Sequence, residues 1–280
     1  VNNTGVAVRS SGTGELNNNG IVNTGMSNLG VYNDGTFNMN GGSIVSNGLA
    51  SVGIYSETGN TDTNLKGGSI RAENGGIGLY AGNSSVMNLH EGLNLSSGNK
   101  GLLFYNYDNS TVSGKYDLTG AVGASVENGG SAFYVKEGTS ITDYLNNSFT
   151  GSGKLELTMD SGSKLYILEG TGTTLSLSSL DGMVNPGSSL TSNVIISSAS
   201  ASDYIPLSMN KGALILDRNV NLDSSSELYK RSEFSSVKVD LTSGNSITGS
   251  QSGQTGIAQR NYENSSGKDA VKITNDGSIA

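Results

Sequence analysis

One histidine, His90, stands in the run Leu89-His90-Glu91-Gly92. A histidine beside a carboxylate could act as a general base. The same run also suits a polar residue at the end of a strand. No second histidine and no cysteine exist to complete a zinc site or supply a thiolate, so no metal site is expected. Serine is abundant, but no G-x-S-x-G elbow accompanies any serine, and there is no P-loop or HExxH motif. Carbohydrate cleavage needs paired carboxylates. Here Asp34, Glu57, Asp62, Glu73, Glu91, Asp108, Asp117 and Glu127 are scattered, and only Asp160, Glu169 and Asp181 are spaced so that coils could bring them together. No catalytic residue and no cofactor follow from these patterns.

Aromatic and charged side chains are the better candidates, and they are candidates for binding. Tyr32, Tyr55 and Tyr80 recur in near-identical contexts, with Phe104 as a looser continuation. Tyr105 and Tyr107 flank Asn106 in a second aromatic stretch. The segment Glu227-Leu228-Tyr229-Lys230-Arg231-Ser232-Glu233-Phe234 interrupts an otherwise bland background. It supplies Tyr229, Lys230, Arg231 and Phe234, the residue types favoured at interaction hot spots.

What must position these residues is a repeat. Gly5-Val6-Ala7, Gly30-Val31-Tyr32, Gly53-Ile54-Tyr55 and Gly78-Leu79-Tyr80 are followed by looser copies at Leu103-Phe104 and Ala132-Phe133. Their third positions fall at 7, 32, 55, 80, 104 and 133. A second motif, Gly41-Gly42-Ser43-Ile44 and Gly67-Gly68-Ser69-Ile70, echoes at Gly92-Leu93 and Gly114-Lys115. A third column runs Phe37-Asn38-Met39, Asn64-Leu65, Met87-Asn88-Leu89 and Thr111-Val112. Each period of about 24 residues thus carries three short alternating apolar stretches separated by Asn-Gly, Asp-Gly and Ser-Gly turn signals. No single unit can bury its apolar face alone, but stacked units can.

The expected fold is therefore all-β: a right-handed parallel β-helix with three strands per coil and about a dozen coils. Residues 1–280 read as one continuous segment of a longer chain, with regular coils over 1–140 and less regular ones over 141–280. Insertions are expected at 106–110, 120–130, 178–192 and 223–236. Alternation that turns Val52, Ile54, Ile77 and Leu79 inward turns Tyr32, Tyr55 and Tyr80 outward, into one external column. Such a column could receive a partner or staple the coils together, with Gly30, Gly53 and Gly78 leaving the rings accessible. As an insertion, the 223–236 segment could project as a partner-binding loop or form a solvated loop with an ordinary charge cluster.

Composition narrows the function. Ser (45), Gly (41), Asn (32) and Thr (21) make up about half of the 280 residues, so the chain would read as low-complexity but for the period. A net charge of −8 argues against a nucleic-acid binder, whose affinity comes from Lys and Arg. The lack of cysteine suits a chain exported unfolded through an oxidising compartment.

The Gly-Val-Tyr, Gly-Ile-Tyr and Gly-Leu-Tyr units, together with the turns Asn33-Asp34-Gly35 and Asn275-Asp276-Gly277, resemble the passenger segments of very large type V autotransporter adhesins of the fusobacterial kind. The likeness covers residues 1 to about 140 by motif and the remainder by composition. It implies secretion to the cell surface, with the outer membrane reached only through a C-terminal β-barrel absent from this sequence. It also implies adhesion, as a monomer, to a host cell-surface receptor, a glycan or partner bacteria. The alternative class is a polysaccharide-active β-helix enzyme or a tailspike-like module.

Overall fold

A computed structural model describes residues 5–16, 20–59, 61–106, 108–109, 112–136, 139–168, 174–180, 189–199, 204–224, 227–235, 237–256, 273–275 and 278–279. They form a parallel β-solenoid of about 8 turns. At about 4.8 Å per turn the rod is roughly 40 Å long, shorter than a dozen coils would make it.

Three faces wind around one core. The first face is a sheet of nine parallel strands, from Val6–Ser10 through Leu29–Asn33, Val52–Thr58, Ile77–Asn83, Leu102–Asn106, Ser131–Val135, Lys164–Leu168 and Ile205–Met209 to Glu233–Phe234. The second and third faces are joined at a corner. In Thr36–Asn47 and Asp62–Glu73 a single long strand serves both. Later coils split it into Val86–His90 and Leu93–Ser97, then Lys115–Thr119 and Ala121–Val126.

The corner explains the Gly-Gly motif. Gly42, Gly68, Gly92, Gly120 and Gly151 all have positive φ, between 74° and 96°, a region side chains disfavour. The corner of the fifth coil is therefore Gly120, and Gly114-Lys115 is instead the start of its second-face strand. The displacement comes from an extra antiparallel pair, Asp108–Asn109 with Val112–Ser113, which begins in the expected 106–110 insertion and runs past its end. Residues 120–130 are not an insertion. Ala121–Val126 is a regular third-face strand, paired on both sides with Leu93–Ser97 and Lys154–Met159. Its Gly and Ala residues hide the alternation.

The core is a set of stacked columns. Val31, Ile54, Leu79, Phe104, Phe133, Tyr166 and Leu207 lie in register along the first face, all buried. From the third face Ile44, Ile70, Leu95, Ala124, Leu157 and Ile196 meet them. In the middle of the rod, aromatic rings fill the interior. Phe104, Tyr116, Phe133 and Phe149 sit with centroids 5.0–5.7 Å apart.

A helix, Ile141–Ser148, enters between the first and second faces of the sixth coil. Its first residues are Ser140-Ile141-Thr142-Asp143. The Ser140 hydroxyl accepts the Asp143 N–H at 3.0 Å, an N-cap bond. Ile141, Tyr144, Leu145 and Ser148 follow the helical spacing and are buried. The Tyr144 hydroxyl donates to Asn106 Oδ1 at 3.0 Å, tying the helix to the coil before it. Beyond it, the second face restarts with Thr174–Ser176, Gly212–Leu216 and Val237–Leu241, a sheet separate from the earlier one. Of the expected 178–192 insertion, residues 181–188 lie outside the described residues, and a 3₁₀ turn covers Leu177–Leu180.

Candidate binding surfaces

The first face carries an external tyrosine ladder. Tyr32, Tyr55, Tyr80, Tyr105 and Tyr134 stand on five successive coils, with ring centroids 5.6, 4.7, 4.8 and 5.0 Å apart. Strand pairing places Tyr32 beside Tyr55, Tyr55 beside Tyr80 and Tyr80 beside Tyr105. All five are half-buried. Phe104 is not part of the column. It is fully buried on the opposite side of its strand, and Tyr105 takes the outward place. The sequence spacing of 104 and 133 followed the inward residues, and Tyr134 was missed for the same reason. The preceding copy is likewise shifted. Arg9, not Ala7, pairs with Tyr32, and its guanidinium lies 5.3 Å from the ring centroid.

The ladder closes on itself. Each inner ring has a neighbour on either side, Arg9 covers one end, and Lys136 Nζ lies 5.5 Å from the Tyr105 centroid. Cations over aromatic faces are attracted by the ring quadrupole. With the faces of Tyr32, Tyr55, Tyr80 and Tyr105 flanked, these rings offer solvent their edges. A bond to Glu57, then partial burial, holds the Tyr32 phenol up to about 12. Burial, then the Glu57 charge, raises that of Tyr55. Arg9 also pairs with Asp34 at 2.8 Å.

The neighbouring glycines do not expose the rings. Gly30, Gly53 and Gly78 are buried, and the residue after each is buried too. The strand therefore turns two consecutive positions inward. A Cβ on Gly53 would stand 2.6 Å from the Gly78 carbonyl oxygen and 3.4 Å from the Ile44 side chain on the third face. These glycines are required by close approach between coils.

Over the described residues 227–235 the 223–236 segment is not a projecting loop. Glu233–Phe234 is the last first-face strand, paired with Ser208 and Met209, and Leu228–Arg231 is a single helical turn. Tyr229 and Phe234 stack at 5.9 Å and pack against the core. The Arg231 guanidinium lies 5.1 Å from the Tyr204 centroid. Arg218 holds Glu227 at 2.5 Å and Lys164 holds Glu233 at 2.7 Å. Of the segment's charged side chains, Asp223, Lys230 and Glu233 are exposed, while Glu227 and Arg231 are half-buried. Tyr107 lies outside the described residues.

Of the catalytic candidates, His90, Glu91 and Asp160 lie among the described residues. His90 is half-buried on the second face beside Thr119, and Glu91 is an exposed turn residue. Asp160 is exposed, while Glu169 and Asp181 lie outside the described residues. Among the described residues no three of His, Cys, Asp and Glu cluster so as to hold a metal ion.

A second surface, not anticipated, is a shallow groove of about 480 Å³ on the third face. Its outward column runs Ser69, Asn94, Gly123 and Glu156. The adjacent column runs Arg71, Ser96, Ser125 and Thr158. Arg71 spans two coils to meet Glu127 bidentately, at 2.5 and 2.6 Å, and its Nε reaches Glu73 at 2.6 Å. This pairing holds the Glu127 carboxyl below its ordinary value. The signal was present in the small residues at 94, 96, 123 and 125, which alternate with apolar ones. The apparent insertion at 120–130 concealed it.

The class defined by this architecture is the parallel β-solenoid. Comparison with family models, curated proteins and solved structures found no match.

Proposed function

We propose that the chain is a segment of an extracellular, non-catalytic adhesin, of the autotransporter passenger type that its repeat motifs resemble. Its task is attachment to a surface protein or glycan on host cells or other bacteria. The observation that carries this reading is the five-ring tyrosine ladder on a parallel solenoid. A stiff rod that aligns identical side chains along its axis presents a preorganised surface, and little conformational entropy is lost on contact. Tyrosine edges and hydroxyls combine apolar area with hydrogen bonding. The cysteine-free, acidic composition fits an exported chain. No helix among the described residues is long and apolar enough to cross a membrane.

The test is adhesion of the fluorescently labelled protein to epithelial cells and to bacteria. The comparison variant is Tyr55→Phe with Tyr80→Phe, which keeps the rings and removes two hydroxyls. Saturable binding, weakened in the variant at unchanged melting temperature, is the expected result. Absence of saturable binding to any surface contradicts the reading.

A further inference from the structure

We infer that the third-face groove is a binding site for a linear, uncharged oligosaccharide, lying along the rod axis with Glu156 as its main anchor. The inference goes beyond the ladder and uses a different surface.

The groove crosses the five strands from Asp62–Glu73 to Val194–Ala199, roughly 20 Å at the spacing of stacked strands. Its floor is low because the residues are small. At Gly123 nothing lies within 4 Å of where a Cβ would stand. Around that gap Ser96, Ser125 and Thr158 supply hydroxyls, and Asn94 supplies an amide. They repeat at the coil spacing, so a polymer of hydroxyl-bearing units meets a similar set of donors and acceptors at each step.

Charge selects among ligands. All three guanidinium nitrogens of Arg71 are engaged, by Glu73, Glu127 and the Ser96 hydroxyl at 3.2 Å. Arg71 therefore forms a wall rather than an anion receptor. Glu156 is half-buried, and its carboxylate has no hydrogen bond or ion pair among the described residues. Placed beside Gly123 in the neighbouring coil, it can accept two hydroxyls from one sugar unit. An acidic chain of net charge −8, with Glu127 and Glu156 at the groove, disfavours polyanions. A peptide is a poorer fit. The groove has no aromatic or deep apolar pocket, and the strands at its centre, Leu93–Ser97, Ala121–Val126 and Lys154–Met159, are already paired on both sides, leaving no edge there for strand addition.

The experiment is NMR titration of the isotopically labelled protein. The probes are neutral tetrasaccharides of glucose, galactose and mannose units, with a tetragalacturonate as the anionic control. At least one neutral probe is expected to shift resonances confined to the groove, and the anionic probe to bind more weakly. Gly123→Tyr fills the floor and should abolish binding at unchanged melting temperature. Glu156→Ala should weaken it about tenfold, the loss of a hydrogen bond to a charged group. Tyr55→Phe with Tyr80→Phe should leave it unchanged, which separates this site from the ladder. The inference is overturned if no neutral probe binds at millimolar concentration. It is also overturned if folded Gly123→Tyr keeps wild-type affinity, or if tetragalacturonate binds as tightly as the neutral probes.

Discussion

The first and third faces share one period, one core and one coil spacing, yet present opposite surfaces. On the first face the outward position is a ring in five successive coils, and the rings touch, so the surface is filled by its own side chains. On the third face the outward position passes through Ser69, Asn94 and Gly123, and the surface is left open. In a stacked solenoid each exposed residue has the same position of the next coil as its neighbour. Residue size, copied along the axis, decides whether a face is sealed or accessible. Amides show the intermediate case. On the second face Asn88 donates to Asn64 at 2.9 Å and Asn64 to Asn38 at 3.0 Å, a ladder that satisfies itself.

The contrast is sharpest inside the first face. Phe133 contacts Phe104, Tyr144, Phe149 and Tyr166, so Phe133→Ala should cost about 3–5 kcal/mol in denaturant unfolding. Valine tests the two faces with one substitution. Gly53→Val places a Cβ against a carbonyl and should cost about 1–3 kcal/mol. Gly123→Val enters open space on an outward strand position and should stay within about 0.5 kcal/mol of the parent. Equal effects of the two would remove the distinction between sealed and open faces.

Smaller effects come next. Tyr55→Ala breaks two ring contacts, about 0.5–1.5 kcal/mol each, whereas Tyr55→Phe keeps them and should be nearly neutral. The smallest effect is electrostatic. Glu127 is held below its ordinary value by Arg71, so its contribution is complete above the unfolded carboxyl value. It is lost as pH falls through the depressed folded one. Because the pair is about one-third exposed, the loss should stay below about 1 kcal/mol, and Glu127→Gln should abolish that part of the acid dependence. At the other end of the scale, Tyr32→Phe should remove a phenol that ionises near pH 12 in an absorbance titration.

The fold was legible because its determinants are local and repeated. The Gly-Gly corners, the alternating strands and the Tyr32–Tyr55–Tyr80 column all sit in the most regular coils. Reading failed where a coil departs from the average. The pair Asp108–Asn109 with Val112–Ser113 displaced the corner from 114 to 120. The doubled inward positions at Gly53-Ile54 and Leu103-Phe104 broke simple alternation, which put Phe104 outside and left Tyr134 unnoticed. The charged run at 227–234 looked exposed by composition, but Tyr229 and Phe234 pack on the core and ion pairs to Arg218 and Lys164 hold its carboxylates. Pairings across 40 or more residues of sequence, such as Lys164 with Glu233, have no local signature.

The central claim is the register that builds the ladder, and a chain without cysteine allows it to be read with no background. Disulfides form between Cα atoms about 4.4–6.8 Å apart whose side chains point together. Tyr80→Cys with Tyr105→Cys places two thiols on adjacent coils, facing the same way, and should oxidise to a disulfide in the folded protein. Tyr80→Cys with Phe104→Cys should not, because position 104 faces the core. Mass spectrometry after mild oxidation distinguishes the two. Cross-linking of the 80–105 pair alone is the predicted result. Cross-linking of the 80–104 pair, with 80–105 remaining reduced, would contradict the register and the ladder with it.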